Sequence, residues 1–449
     1  MLNKWTSNAL IFFTLICVYL VPVAADEKVN LNGNWRADKL NFYLNIKDQL
    51  FTRYQFTSMS CFKGGAGYLP VVGSVKDGLL NDSYKIALRG ADEMIISRPQ
   101  EGIPTHLTRI KRIPSHCKGQ AIKTPLSNFY VFWHSINEVY HFSTYSKKAW
   151  FELYNKTIEK FIDLDMRVFK DQKEEDLFLF DRLRALIYEL KDAHIFLIAP
   201  SLGQTVYADE KINQFNDQYI EDPTQKYKRY ELLAKYHNLE LQWFNDKSIA
   251  IGYQENSKIL YLAVLSLTGS GANGAYTNES MERFNNALTE LRKNLNRHSI
   301  KKLIVDLRFN DGGSIQYANM LASTISNIKK TSTFIAPFRD EKKLEPLAYV
   351  NKEKADINYD IEVFVTKYTA SAAEHLTLLL QDLGATIHGQ ETRGAYSPVI
   401  LKSLPNGWII GIPPYKTYTR DKQLLQEGVG IQPDSKINWE ADDIPAFNK

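Results

Sequence analysis

From residue 29 to about 115 the chain runs in short segments that alternate apolar and polar positions, punctuated by Gly, Asn and Asp. Phe42-Tyr-Leu-Asn-Ile46, Tyr84-Lys-Ile-Ala-Leu88 and Glu93-Met-Ile-Ile-Ser97 carry a period of two, which buries one face of a strand and leaves the other in water. They predict a small antiparallel β domain over 26–120. Over 121–240 the period lengthens. Leu183, Leu186, Ile187 and Leu190 recur at helical spacing, and Phe129, Trp133, Tyr140, Phe142, Trp150 and Tyr154 supply bulky core candidates, so a helical domain is expected. Residues 203–230 are polar and contain Pro223, as in a long surface loop. From 241 to 449 apolar runs alternate with helical patterns. Ile259 to Leu265, Leu303 to Leu307 and Ile361 to Val365 read as buried strands, while Met281, Phe284, Leu288, Leu291 and Leu295 mark an amphipathic helix. That alternation predicts an α/β core with mostly parallel central strands.

The first 25 residues follow a different rule. Lys4 precedes a 13-residue apolar run, Ala9 to Val21, and the small residues Val23-Ala24-Ala25 stand before Asp26-Glu27. The run is short for a bilayer span and its end looks cleavable, so a secretory signal peptide over 1–25 is expected, with an uncleaved anchor as the alternative. Its removal would leave Cys61 and Cys117 in an exported, periplasmic or extracellular protein. The pair reads either as one disulfide or as two separate buried thiols. No later run is apolar enough for a membrane helix, so no integral membrane association is expected after cleavage. With 44% hydrophobic and 24% charged residues among 449, the chain has an ordinary globular balance. A formal charge of +4 is too small to imply nucleic acid as a partner. No Cys/His pairs show zinc spacing, and no metal or organic cofactor is expected. Gly33-Asn34-Trp35 is similar to the Gly-x-Trp opening of lipocalin-like barrels, although a plain structural Trp explains it as well.

In open α/β sheets reactive groups gather beyond the carboxyl ends of the strands. Ser371 stands at such an end and at the start of a predicted helix, where free backbone N–H groups favour an anion. Ala370, Ala372 and Ala373 leave room around it. A helix cap explains the same serine, because Glu374 completes a capping box. Asn310-Asp311-Gly312-Gly313 follows another strand; its glycines could expose N–H donors, or could simply turn the chain.

The segments Leu303 to Gly313, Thr369-Ala-Ser-Ala-Ala-Glu374 and Glu427-Gly-Val-Gly-Ile-Gln-Pro-Asp434, in that order, resemble the motif set of the tail-specific (C-terminal processing) serine peptidases. Leu190-Lys-Asp-Ala-His-Ile-Phe196 is similar to the family's Leu-x-Asp-x-His segment. The resemblance spans roughly 125–440 and implies an α/β catalytic core of the tail-specific protease (ClpP/crotonase-like) type. Where the Ser–Lys enzymes carry their lysine this chain has Ala395, and no pattern of a PDZ insert is seen. The resemblance therefore points to the tricorn-core branch, with a histidine base. It implies Ser371 as nucleophile, His194 as base, Glu427 as supporting acid, and backbone N–H groups of Gly312 or Gly313 and of Ala372 as oxyanion donors. Ala193 replaces the serine that precedes the base in that branch, which leaves Asp192 as a rival orienter, and His375 is a rival base. The implied substrate is a peptide or protein. Interphotoreceptor retinoid-binding proteins also resemble this core, so a catalytically silent carrier of a hydrophobic ligand or peptide is the alternative.

Overall fold

The computed structural model describes residues 30–438, apart from 66–70, 77–78, 81–83, 98–102, 143, 211, 214–227, 229, 233, 236–237, 269–277, 298, 326–329, 332, 338–343, 348 and 351–357. The expected signal peptide therefore lies outside the described residues, as does most of the loop expected at 203–230. No helix among the described residues is long and apolar enough to cross a membrane.

Among the described residues, nine short strands between Gly33 and Ile110 form one antiparallel sheet. Pairing of Phe42–Lys47 with Leu50–Phe56 closes eight of them into an up-and-down barrel, and the ninth, Cys61–Lys63, lies against the far half of Leu50–Phe56. The period of two sorts the side chains. Trp35, Leu44 and Arg53 stand opposite one another in the register and point inward, joined by Phe51, Met94 and Leu107. The Arg109 guanidinium lies 4.1 Å over the Trp35 ring and donates to the carbonyls of Asn32 and Ala91. A Cβ on Gly33 would sit 2.4 Å from that guanidinium, so the Gly-x-Trp opening here makes room for the arginine. Cys61 is disulfide-bonded to Cys117 beyond the barrel's last strand.

Three helices follow, each started by a side chain accepting from its first turn: Thr124 before Pro125–Val139, Ser146 before Lys147–Met166, and Asp171 before Gln172–Leu190. Their apolar faces bury Phe129, Phe132, Trp150, Phe161, Leu183 and Ile187 together. This core does not end at residue 240, as the sequence reading expects. Strand Phe196–Ala199 pairs with Ile409–Ile412, and Trp408, Ile410 and Ile412 complete the same core. The helices alone leave an apolar face, and a hairpin some two hundred residues later covers it. The hairpin also receives the barrel: the Gln55 side chain bonds the N–H and C=O of Ser403, and Lys402 Nζ donates to the carbonyls of Leu40 and Asn41.

A further sheet has seven strands among the described residues, ordered as they occur along the chain, from Gln242–Phe244 through Ile259–Val264, Lys302–Asp306 and Asp360–Val365 to Ser435–Lys436; pairing is parallel from Ile259 onward. Leu260, Leu262, Leu303, Val305 and Val363 face helices Ile315–Ile325 and Ala372–Asp382, whereas Tyr261, Ala263, Ile304 and Phe364 face the opposite side. Both faces are thus covered, which explains the continuous apolar runs in these strands.

The disulfide closes a separation of 56 residues. Replacing both cysteines by alanine is expected to lower unfolding free energy by about 2–4 kcal/mol, on the loop-closure scale for such a span. Chemical denaturation checks this; an unchanged midpoint would show that the bond constrains nothing.

Candidate active site

Three strand ends meet around Ser371. Lys302–Asp306 ends in a buried Asp306–Arg308 ion pair, to which the Tyr261 hydroxyl adds a bond of 2.7 Å. Thr369 Oγ1 donates to the Leu307 carbonyl and Thr366 Oγ1 to that of Arg308, which fastens the next strand's exit to this one. Asn310 then spans the gap between strands: its Nδ2 donates to the Val264 carbonyl, its Oδ1 accepts from the N–H of Gly312, and its own carbonyl accepts from Ala370. The turn of residues 310–313 is thereby pinned against the residue before Ser371.

Ser371 has φ 56° and ψ −123°, a conformation costing an L-residue about 1–3 kcal/mol, which persists only where the surroundings over-determine it. They do. The Ser371 N–H donates to Glu374, its carbonyl accepts from the N–H groups of Glu374 and His375, and a Cβ on Gly312 would lie 2.6 Å from the Ser371 Cβ. Gly312 itself has φ +107°. The expected cap glutamate does more than cap. Fully buried Glu374 also accepts from Thr392 Oγ1 and from the N–H groups of Gly394 and Ala395, so one carboxylate clamps the serine to the loop of residues 392–395.

His194 sits in the turn between helix Gln172–Leu190 and strand Phe196–Ala199, after Lys191 reverses the chain at φ 52°. Ala193, directly before it, packs in one buried cluster with Ala370, directly before Ser371, and with Ala395. The two segments are thus adjacent. His194 Nδ1 is buried and has no hydrogen-bond partner among the described residues. Burial, helped by the nearby charges of His375 and Arg393, pushes its pKa down to about 3, so the ring is neutral. His375 is fully engaged instead: Nδ1 contacts Thr333 Oγ1 at 3.2 Å and Nε2 the Tyr396 carbonyl at 2.8 Å.

Glu427 is buried, and its carboxylate accepts from the N–H groups of Tyr396 and Ser397. Burial, then repulsion from Asp192, pushes its pKa up. Asp192 accepts the His194 backbone N–H at 2.9 Å and lies 2.9 Å from the Tyr140 hydroxyl; burial raises its pKa to about 6. Neither carboxylate makes a described hydrogen bond to the His194 ring.

One expected oxyanion donor is corrected. The Gly312 N–H is spent on Asn310 Oδ1 at 2.8 Å. The N–H groups of Gly313, which is exposed, and of Ala372, in the first turn of its helix, take no part in the turn and loop bonds described here. The group of three metal-ligating side chains found among the described residues, Cys61, His116 and Cys117, has both sulfurs in the disulfide. Sequence reasoning missed that Asn310 takes up the Gly312 N–H, that Glu374 reaches residues 392–395, and that the Tyr140 hydroxyl donates to Asp192. The capping-box spacing marked Glu374 locally, but no local signal marks a bond across some twenty residues.

Residues 258–437, less than half of the chain, match the model for peptidase family S41. The probable CtpA-like serine protease of Staphylococcus aureus (strain COL) is 28% identical over 143 residues, which are 32% of this chain and 28% of that protein. Its counterpart in Staphylococcus saprophyticus is 26% identical over 142 residues, 31% of this chain and 28% of that protein. The chain thus spans less than a third of the length of these curated relatives. Among solved structures, a putative peptidase from Parabacteroides merdae aligns over 72% of this chain and 92% of its own, with 21% identity and a TM-score of 0.49. The photosystem II D1 C-terminal processing protease aligns over 71% and 94%, with 13% identity and a TM-score of 0.41. The residues that match the family model include Ser371, the glycine turn and Glu427; His194 lies outside them.

Gly312→Ala is expected to drive Cβ into Ser371 and to slow reaction of the serine with an active-site phosphonate by at least about 10²-fold, as ångström-scale misplacement does. The rate of covalent labelling measures this. A variant that is folded and labels at the wild-type rate would show that the close approach does not matter.

Proposed function

We propose that this chain is an exported serine peptidase that hydrolyses peptide bonds through an acyl-enzyme on Ser371. The observation that carries the reading is the strained, over-determined Ser371 beside a neutral histidine segment: Ala370 and Ala193 share one buried cluster. The S41 match over the same core supports it. His194, uncharged because it is buried, takes the Ser371 proton as the oxygen attacks the peptide carbonyl, and returns it to the leaving amine. Glu427 supplies the negative charge that stabilises the imidazolium. The N–H groups of Gly313 and Ala372 hold the tetrahedral oxyanion; one such donor is typically worth about 10²–10³ in turnover. The apolar stretch of residues 9–21 supports export, and peptides or proteins are the substrate class.

The test is hydrolysis of an internally quenched peptide library across pH. Ser371→Ala and His194→Ala are each expected to lose at least about 10³-fold, as in other serine triads. With a histidine pKa near 3, the imidazole is already neutral well below pH 6, so it does not set the acid limb. Asp192 and Glu427 have pKa values raised by burial, so both keep their protons at low pH and the first leaves near pH 6. Activity therefore rises through about pH 6. A rise only near pH 9–10 would indicate a lysine base, and no turnover by folded wild type at any pH would favour the silent carrier of a hydrophobic ligand.

A further inference from the structure

We infer that the N-terminal barrel positions His194, acting through the hairpin that lies between them; this rests on reading His194 as the general base. The hairpin is Ile400–Ser403 with Ile409–Ile412. It belongs to a four-stranded sheet in the order Gln204–Tyr207, Phe196–Ala199, Ile409–Ile412, Ile400–Ser403. His194 stands just before the strand that opens at Phe196. The register sets Ser403 opposite Ile409 and Ile409 opposite Ile198, with Lys402, Ile410 and Leu197 in the next row. Two strand spacings of about 4.8 Å therefore separate Ser403 from Ile198. The contact nearest the base is close-packed. A Cβ on Gly411 would lie 2.3 Å from the Phe196 ring, so that ring rests directly on the hairpin backbone. A shift of the hairpin thus carries Phe196, and the turn bearing His194, with it.

Among the described residues Ile400–Ser403 is the outer strand of that sheet, and an outer strand turns backbone N–H and C=O groups away from its neighbour. At Ser403 the barrel takes up both. The Gln55 side chain accepts from the Ser403 N–H at 2.9 Å and donates to the Ser403 carbonyl at 2.5 Å, one acceptor and one donor used as a further strand would use them. Ser403 Oγ donates to the Gly65 carbonyl, just beyond the barrel strand Cys61–Lys63. Lys402 Nζ donates to the carbonyls of Leu40 and Asn41, in the turn between the strands Gly33–Ala37 and Phe42–Lys47. Asn41 Nδ2 in turn donates to Glu138 of helix Pro125–Val139, and Glu138 also accepts the Ser58 N–H, so the barrel is itself braced. Gln55 and Lys402 are buried, where water does not compete for these bonds. The helices hold the turn of the hairpin instead: Asn128 Oδ1 accepts the Asn406 N–H, and Trp408 Nε1 donates to Ser201. Gln55 and Lys402 are positioning residues, acting on His194 through the hairpin's outer edge.

Variants of the full chain test this, with labelling of Ser371 by a small phosphonate as the readout of the base. Gln55→Leu and Lys402→Met are each expected to slow labelling by about tenfold or more, where ångström-scale misplacement costs about 10². Deuterium exchange of the backbone over 196–199 and 409–412, followed by mass spectrometry, should quicken in the same variants. Leu107→Val pares the barrel interior and leaves both anchors in place; it should lower the unfolding midpoint but keep wild-type labelling and exchange. In a His194→Ala background, Gln55→Leu should change the residual labelling by less than about twofold, because its effect runs through the histidine. Wild-type labelling or wild-type exchange in both anchor variants would overturn the inference. So would equal slowing by Gln55→Leu with and without His194, or slowing by Leu107→Val as large as that of the anchors. A raised KM for peptides with unchanged labelling would instead make the barrel a substrate-recruiting domain. Should Gln55→Leu fail to fold, Gln55→Glu, which keeps the acceptor for the Ser403 N–H, decides in its place. If wild type takes no label, the peptidase reading fails, and exchange still decides whether the barrel holds the strand beside His194.

Discussion

Everything around the candidate nucleophile hangs on one buried carboxylate. Glu374 accepts from the Ser371 N–H on its own helix and from three donors on residues 392–395, and those residues pack against Ala193. A buried acid with four donors is a costly element to remove, because each orphaned donor would lose about 1–3 kcal/mol. That cooperative clamp offsets the strain at Ser371 φ 56°. It also couples three pieces of chain that the sequence holds far apart: the nucleophile helix, the loop where Ala395 stands, and the turn bearing His194.

Around the clamp, burial sets the electrostatics. His141, His194 and His375 are all driven toward the neutral form, and Asp192, Glu374 and Glu427 are all driven toward the protonated one. A site with few free charges can concentrate the effect of the one that remains.

The sequence made part of this legible, and the reasons are physical. Buried parallel strands read as continuous apolar runs, so Ile259–Val264, Lys302–Asp306 and Asp360–Val365 stand out. The turn residues Gly312 and Gly313 and the helix-opening Ser371 follow from local backbone chemistry. The hairpin that covers the helical core was not legible, because Ile409–Ile412 is four apolar residues whose partner lies about two hundred positions upstream. The use of the Gly312 N–H by Asn310 was equally hidden: a side-chain bond two residues back looks the same in sequence as a free donor. The Tyr140–Asp192 contact crosses 52 positions and involves an aromatic that reads simply as core.

The central claim is that Ser371, and no other serine, is the activated nucleophile. Incubating the full chain with a fluorophosphonate, then mapping the modified peptide by mass spectrometry, tests it directly. The account predicts one adduct per chain, on Ser371, absent after His194→Ala. An adduct on a different serine, or an unmodified Ser371 in folded wild-type protein, would contradict it.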